Sequence, residues 1–286
     1  MPSTYHDEVA NSMLSEDDLR AASCPRLQGL DRVLRRGIKN LSDEERGWVE
    51  RIEAERKVLL ADDSEVEILN FGAGSRTARR TANEMNAGWT SHAVIRQVCE
   101  RAVSKPEKAL LLFKLVREFR PQRAVEFGTC LGISAAYQAA ALQLNGNGGS
   151  LATLEGAPSF GDVARRTLDA VSLSEVEVVV GRFLDTLPQV LADGPVDYAF
   201  VDGHHDEAAT INYFRELLPH LSDGAVLVFD DIRWNDRMQR AWGVIAASPS
   251  VVAAVDLVKF GIVFVGREPC EPPRFDGAVQ GSPASL

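Results

Sequence analysis

The sequence predicts an α/β fold: a doubly wound, mostly parallel sheet of seven strands with a C-terminal antiparallel hairpin, preceded by a mainly helical extension. Three observations predict it. From Pro106 onward, short apolar runs alternate with amphipathic helical stretches. Strands separated by helices pair in parallel, with right-handed crossovers and helices on both faces. The last two runs, 251–258 and 260–266, are separated only near Lys259. That gap is too short for a crossover helix, so one of the two strands must run antiparallel. Finally, the run Val125-Glu126-Phe127 leads into Gly128-Thr129-Cys130-Leu131-Gly132-Ile133-Ser134. This is the order of a strand, a tight turn and a helix N-terminus, whose free N–H groups suit a carboxylate or phosphate.

Composition sets the outer limits. The chain has 286 residues, 45% hydrophobic and 25% charged, enough for a soluble domain with a sizeable core. Its formal net charge of −10 argues against a nucleic-acid footprint, which needs clustered cations. Cys24, Cys99, Cys130 and Cys270 are scattered without metal-ligand spacing, and a reducing cytoplasm is the simplest location. No apolar run approaches the roughly 20 residues that cross a bilayer, and the polar, acidic N-terminus does not read as a signal peptide.

Residues 1 to about 40 are polar and give no firm element. Ser42-Asp43-Glu44-Glu45 reads as a capping box, Ser42 the N-cap and Glu45 at N3, so a helix should follow with Trp48, Ile52 and Leu59 on one side. Residues 66–71 form a strand candidate that runs into a second glycine turn, Gly72-Ala73-Gly74-Ser75. The stretch after it lacks the apolar stripe of a sheet-packed helix, so this turn is expected at the surface with a basic flank. Ala109 to Phe119 is an amphipathic helix burying Leu111, Leu112, Leu115, Val116 and Phe119. The remaining strand candidates are 123–128, 150–155, 176–181, 196–202 and 225–230, with helices such as 162–171 and 207–218 between them. The expected division is a helical extension or lid over 1–104, the sheet domain over 105–266 and a Pro- and Gly-rich loose tail over 267–286.

In such a sheet, ligands sit beyond the carboxyl ends of the strands, where strand order reverses. The residues expected at those ends are Glu126 and Gly128, Glu155, Gly181-Arg182-Phe183, Asp202-Gly203-His204-His205, and Asp230-Asp231. Glu155 lies 23 residues past Gly132, where a carboxylate can accept both hydrogen bonds of a ribose diol. Dinucleotide and S-adenosylmethionine sites share that feature. The loop separates them: a dinucleotide fingerprint wants G-x-G-x-x-G, whereas this loop is Gly128-Thr-Cys-Leu-Gly132 with Glu126 before it. A carboxylate there repels a pyrophosphate and suits an amino or sulfonium group.

On these residues the chain resembles the class I S-adenosylmethionine-dependent methyltransferases across about residues 105–266. Within that Rossmann-like family it is most similar to O-methyltransferases of the catechol and caffeoyl-CoA type, whose E-x-G-x-x-x-G-x-S loop matches Glu126, Gly128, Gly132 and Ser134. Residues 41–266 also resemble uncharacterised bacterial methyltransferase-like proteins. The resemblance implies that Ser134 and the loop amides, Gly128 and Thr129 among them, hold the methionine carboxylate, with Glu126 near the amino group. It implies that Glu155 holds the ribose and that Gly181, Arg182 and Phe183 flank the adenine. In the metal-dependent relatives, an Asp after the fourth strand and an acidic pair after the fifth bind magnesium; Asp202, Asp230 and Asp231 stand there, with Asp202 also beside cofactor and acceptor. His205 stands where those relatives carry a catalytic lysine, and a neutral imidazole can take a hydroxyl proton. The opposing expectation is that Asp230 caps the next helix, Asp231 is solvated and His205 bonds the backbone.

The function expected is S-adenosylmethionine-dependent methylation of a hydroxyl on a small molecule, with Mg²⁺ assistance as an added option. A metal-independent N- or macromolecule methyltransferase, an NAD-dependent oxidoreductase and a non-catalytic cofactor-binding protein remain as alternatives. No membrane or nucleic-acid partner is expected. Oligomeric state is not readable, a homodimer being the one assembly kept in view. Trp89, His92 and Arg96 are expected to be structural before they face substrate, Trp242 to be core, and Cys130 to fill the loop.

Overall fold

The computed structural model describes residues 13–14, 24–36, 39–72 and 80–266. The expected loose tail, the residues of the second glycine turn after Gly72, and Cys270 lie outside them.

The main sheet contains the strands β1 (Met13–Leu14), β4 (Arg123–Phe127), β5 (Ser150–Glu155), β6 (Glu177–Val180), β7 (Val196–Val201), β8 (Leu221–Phe229), β9 (Val251–Asp256) and β10 (Gly261–Val265). Their order is β1-β9-β10-β8-β7-β4-β5-β6. β10 runs antiparallel to both of its neighbours, and the other pairs are parallel. The seven expected strands are therefore present with the expected antiparallel hairpin, and β1 adds two residues to the β9 edge. β8 starts at Leu221, several residues earlier than its apolar run suggested. Strand order reverses at β4, between β5 and β7, and the crevice above that point is the place for a ligand.

Alternation along the strands separates two cores. Tyr198, Phe200, Val226, Val228, Ile262 and Phe264 face one side; Phe127, Leu154, Ala199, Val201, Leu227 and Val263 face the other. The second side is covered by α8 (Phe183–Ala192), α9 (Glu207–Leu217) and α10 (Asp236–Ala246). Trp242 of α10 is buried there beside Gly261, the core role expected of it. The first side is covered by α5 (Pro106–Phe119), α6 (Ile133–Asn145) and α7 (Pro158–Ala170). Lys105 is the N-cap of α5, and Pro106, whose missing N–H costs nothing in a first turn, starts it. Arg120, in a left-handed conformation, ends it.

The N-terminal segment packs on this same side. The helices α1 (Pro25–Arg36), α2 (Asp43–Leu60) and α4 (Ile95–Arg101) bury Leu27, Leu30, Ile52, Leu59, Ile95 and Cys99 in one cluster with α5 and α6. The capping box of α2 is complete: Glu45 N–H donates to Ser42 Oγ at 3.3 Å, and Ser42 N–H donates to Glu45 Oε2 at 3.0 Å. Glu45 also takes Lys114 of α5 at 2.7 Å. Tyr137 of α6 donates to Glu53 at 2.8 Å, fastening α2 to the domain. β2 (Glu65–Asn70) and β3 (Trp89–Val94) pair antiparallel as a separate two-stranded sheet, with the short α3 (Ala82–Ala87) between them. Trp89 stacks under Arg80, and Arg96 is tied to Asp63 at 2.7 Å; His92 is exposed.

Cys24 is disulfide-bonded, which runs against the reducing cytoplasm expected from the sequence, and Cys99 and Cys130 are free thiols. Among the described residues no helix is long and apolar enough to cross a membrane.

Candidate active site

The glycine loop sits where β4 ends. Gly128 has φ 97°, and a Cβ on it would lie 2.1 Å from the Asp202 carbonyl oxygen of the neighbouring β7 end. Gly132 has φ 87°, and a Cβ there would press on the α7 backbone at Ala164, 3.0 Å away. Both glycines are thus demanded by packing of the chain against itself, and the room they leave a ligand is secondary. Cys130, between them, is held at φ 50°, and burial pushes its thiol well up, next to the charge of Glu155. It fills the loop, as expected.

Glu126 points from β4 toward α6 and is 0% exposed. It accepts from Gln138 Nε2 at 2.9 Å and from Thr153 Oγ1 at 2.6 Å, and Ser134 also hydrogen-bonds it. Burial raises its pKa to about 7 against those hydrogen bonds. Glu155 and Asp202 line the cleft, while Glu126 lies one layer beneath it. Thr129 is buried too, its hydroxyl 2.6 Å from that of Thr153.

Glu155, at the end of β5, faces a cleft of about 240 Å³ together with Gly128, Cys130, Arg182, Phe183 and Asp202. Its carboxylate accepts from Cys130 N–H at 2.7 Å and Ala157 N–H at 2.9 Å. Burial nevertheless lifts its pKa to about 7. Of the cofactor residues expected from the sequence, Gly128, Glu155, Arg182, Phe183 and Asp202 line this cleft; Gly181 is bonded through its N–H to the Glu155 carbonyl at 2.8 Å, and Glu126, Thr129, Gly132 and Ser134 do not line it. The opposite wall was not foreseen. The stretch from Ile68 to Gly72 lines the same cleft, so Gly72, the first residue of the second glycine turn, stands at the site. The Phe71 ring rests on Gly156, where an added Cβ would lie 3.1 Å from it, and Arg182 stands 5.9 Å above the Phe71 ring. Phe71, Arg182, Phe183 and His204 also border a larger cavity of about 680 Å³ next to it. A hydrophobic residue before a glycine pair was visible in the sequence, but where a hairpin docks is not a property of its own residues.

The far end of the cleft is built by the loops after β7 and β8. His204 and His205 have φ 63° and 45°, and Asp231 has φ 48°. Such left-handed conformations cost non-glycine residues on the order of 1–2 kcal/mol each and cluster at functional sites. His204 also lines the cleft; it bonds Tyr213 Oη at 2.7 Å and the Phe71 backbone, and burial lowers its pKa to about 4. His205 lines the cleft, lies 3.7 Å from Asp202 Oδ1 and stacks on Trp234 with centroids 5.4 Å apart. Burial lowers its pKa as well, leaving a neutral imidazole. Asp230 does not cap α10: Asn235 does, accepting from Met238 N–H at 3.0 Å, and Asp230 Oδ1 accepts from Asp231 N–H at 2.8 Å.

The carboxylates expected to hold magnesium have another partner. Lys108 of α5 donates to Asp230 Oδ2, and the Asp230 side chain hydrogen-bonds that of Asp202. Burial pushes both carboxyls up, with Lys108 pulling the other way. Burial alone would lower the Lys108 pKa, but Asp202, Asp230 and Asp231 hold it raised. A magnesium site wants several free oxygen donors in octahedral array. Here two carboxyls are turned on each other and on an ammonium, and among the described residues no group of three His, Cys, Asp or Glu could hold a metal ion. As arranged, Asp202, Asp230 and Asp231 do not fit a divalent metal. Lys108 was missed in the sequence, although it shares a helical face with the buried Leu112 and Leu115, an unusual position for a cation.

Known proteins carry the same features. A family model described as a methyltransferase domain matches residues 125–232. Catechol O-methyltransferase of Mycobacterium tuberculosis is 34% identical over 133 residues, 46% of this chain and 58% of that protein. That of Niastella koreensis is 32% identical over 130 residues, 44% of this chain and 57% of the relative. The chain thus spans less than two thirds of the length of these relatives. Among solved structures, an O-methyltransferase from Bacillus cereus in complex with SAH is 28% identical with a TM-score of 0.52, over 58% of this chain and 84% of that one. The O-methyltransferase TomG from Streptomyces achromogenes in complex with SAM is 29% identical with a TM-score of 0.51, over 58% and 82%. The fold and the cleft define a class I, Rossmann-like methyltransferase domain. Within that class, the part of the chain that matches is similar to catechol O-methyltransferases and to O-methyltransferases solved with SAH or SAM.

Proposed function

We propose that this protein transfers a methyl group from S-adenosylmethionine to a hydroxyl group of a small molecule. The observation that carries the reading is Glu155: a carboxylate at the end of β5, facing one cleft with the Gly128 turn and the Asp202 rim. When bound, S-adenosylmethionine supplies a methyl group on a sulfonium, open to in-line displacement. The residues of this chain do the rest. Glu155 accepts the ribose hydroxyls, and Arg182 and Phe183 flank the adenine. The loop amides and Ser134 receive the methionine carboxylate, with Glu126 fixing Ser134 from beneath. His205, neutral and steadied by Trp234, takes the proton from the acceptor hydroxyl, and Asp202 faces the resulting imidazolium. Orientation of the two reactants and exclusion of water supply most of the acceleration in such a displacement. Magnesium assistance lacks support from the carboxylate geometry, and no step is drawn through it. The Cys24 disulfide runs against the reducing cytoplasm expected from the sequence, and no location is proposed.

Calorimetric titration with S-adenosylhomocysteine and with NAD tests the cofactor. S-adenosylhomocysteine should bind and NAD should not; the reverse would replace the reading with an oxidoreductase. Glu155→Ala should weaken S-adenosylhomocysteine binding by about 1–3 kcal/mol, the usual cost of losing charged hydrogen bonds. The acceptor class is tested with labelled S-adenosylmethionine and a panel of hydroxyl, amine and macromolecular acceptors. Product on the small hydroxyl compounds is expected, and His205→Ala should lower kcat by about 10²-fold or more.

A further inference from the structure

The cation of the acceptor site is part of the chain. We propose that the Lys108 ammonium is the resident counter-ion of the Asp202–Asp230 carboxyl pair, standing in the place of a divalent metal and keeping this site metal-free. Several observations point there. α5 precedes β4 and packs on the sheet, so its N-terminal turn comes to the rim where β4, β7 and β8 end. Lys105 and Pro106 set the start of that helix, which leaves Lys108 one turn in, on the stripe of Leu112 and Leu115, both fully buried. Its side chain is only 20% exposed and that of Asp230 1%, and the ammonium lies 5.3 Å from the Phe260 ring centroid. The lysine is therefore held over the carboxyls by packing along its stem and does not sample solvent as a surface lysine would. An incoming divalent ion would have to shed water, which Mg²⁺ does reluctantly. It would also have to turn two hydrogen-bonded carboxyls outward and expel a tethered ammonium into a largely apolar setting, where an unpaired charge is costly.

Methyl transfer by the wild-type chain should accordingly be insensitive to EDTA, a consequence that rests on the proposed function; occupancy of the carboxyl pair does not. Metal binding is read directly by titrating the full chain with MnCl₂, following loss of the free aquo-ion signal by electron paramagnetic resonance and heat by calorimetry. The wild-type chain should bind Mn²⁺ no tighter than about 10⁻³ M, the range of weak oxygen-ligand sites. Lys108→Ala, and Lys108→Met as the variant that keeps the apolar stem, should gain a Mn²⁺ site at least about tenfold tighter, removed again by Asp230→Asn. Wild-type binding below about 10⁻⁴ M that Asp230→Asn abolishes would overturn the proposal. So would Lys108 variants that still bind S-adenosylhomocysteine, and are therefore folded, yet gain no metal affinity. If both variants fail to fold, the wild-type titration decides alone. A wild-type chain that excludes Mn²⁺ but does not bind S-adenosylhomocysteine would instead count against the methyltransferase reading.

Discussion

Glu155 gives cofactor affinity a pH dependence whose direction follows from burial. Its pKa in the free protein is raised to about 7 by desolvation, against hydrogen bonds from Ala157, Cys130 and Gly156. Hydroxyl groups donating to a carboxylate favour its ionised form, so a bound ribose would lower that pKa. Binding then releases a proton when Glu155 is protonated beforehand. Affinity for S-adenosylhomocysteine should be highest above pH 7 and should fall as pH drops below it, by up to about tenfold per unit. Calorimetry in buffers of different ionisation enthalpy should show proton release near pH 6; a flat wild-type profile, or a pH dependence that persists in Glu155→Gln, would remove the ribose role. Stability moves the other way with pH. Glu126 and Glu155 bind protons more tightly folded than unfolded, so the unfolded chain holds fewer protons between about pH 4.5 and 7, and folding stability declines as pH rises through that window. At this scale the sequence was informative where a residue's position follows from strand ends, as for Glu155, Asp202 and His205. It misled at Glu126, because the side of a strand on which an acid is buried depends on α6 and β5 partners, Gln138 and Thr153, that no local motif specifies.

The turn after β4 and the β2–β3 hairpin bound the cleft from two sides, and each responds to one substitution. Gly128→Ala would drive a Cβ into the Asp202 carbonyl, 2.1 Å away, at a positive φ. Since that contact is backbone, β4 and β7 must separate, and stability should fall by more than the roughly 1 kcal/mol ordinary for a glycine replacement, together with loss of S-adenosylhomocysteine binding. A thermal melt within a few degrees of wild type would show the turn to be looser than its geometry. Phe71→Ala removes a ring that rests on Gly156 and faces Arg182. Aromatic contacts of this kind contribute about 0.5–1.5 kcal/mol, so S-adenosylhomocysteine affinity should drop by roughly 2- to 10-fold with the fold retained; unchanged affinity would exclude the hairpin as a cofactor wall. The elements themselves were legible, from the capping box at Ser42 to the antiparallel β10. Their docking was not: residues 66–71 read as a strand in isolation, and the hydrogen bond from Ser159 of α7 to the Glu67 carbonyl, at 2.6 Å, the packing at Gly156 and the contacts of His204 and Arg182 with Phe71 bring that strand over the rim.

Taken as a whole, the molecule has two cores, one on each side of a single sheet, and the N-terminal helices belong to one of them. A lid expected from sequence would rest on a finished domain and come away without loss. The structure instead sets Leu27, Leu30, Ile52, Leu59, Ile95 and Cys99 in the same cluster as Leu112, Val116 and Tyr137. Burying a large aliphatic side chain contributes about 1.5–3 kcal/mol, so the set weighs as much as the entire stability of a typical domain, about 5–15 kcal/mol. The Tyr137–Glu53 and Lys114–Glu45 contacts would lose their acceptors as well. A chain beginning at residue 105 should therefore lack a cooperative thermal transition and should not bind S-adenosylhomocysteine, as read by circular dichroism and calorimetry. Ile52→Ala, distant from the cleft, should lower stability by about 2–5 kcal/mol while leaving cofactor affinity near wild type. A truncated chain that melts cooperatively and binds S-adenosylhomocysteine would make the extension a separable lid, and the alternation of α5 and α6, buried on nearly every side, would then need a different partner.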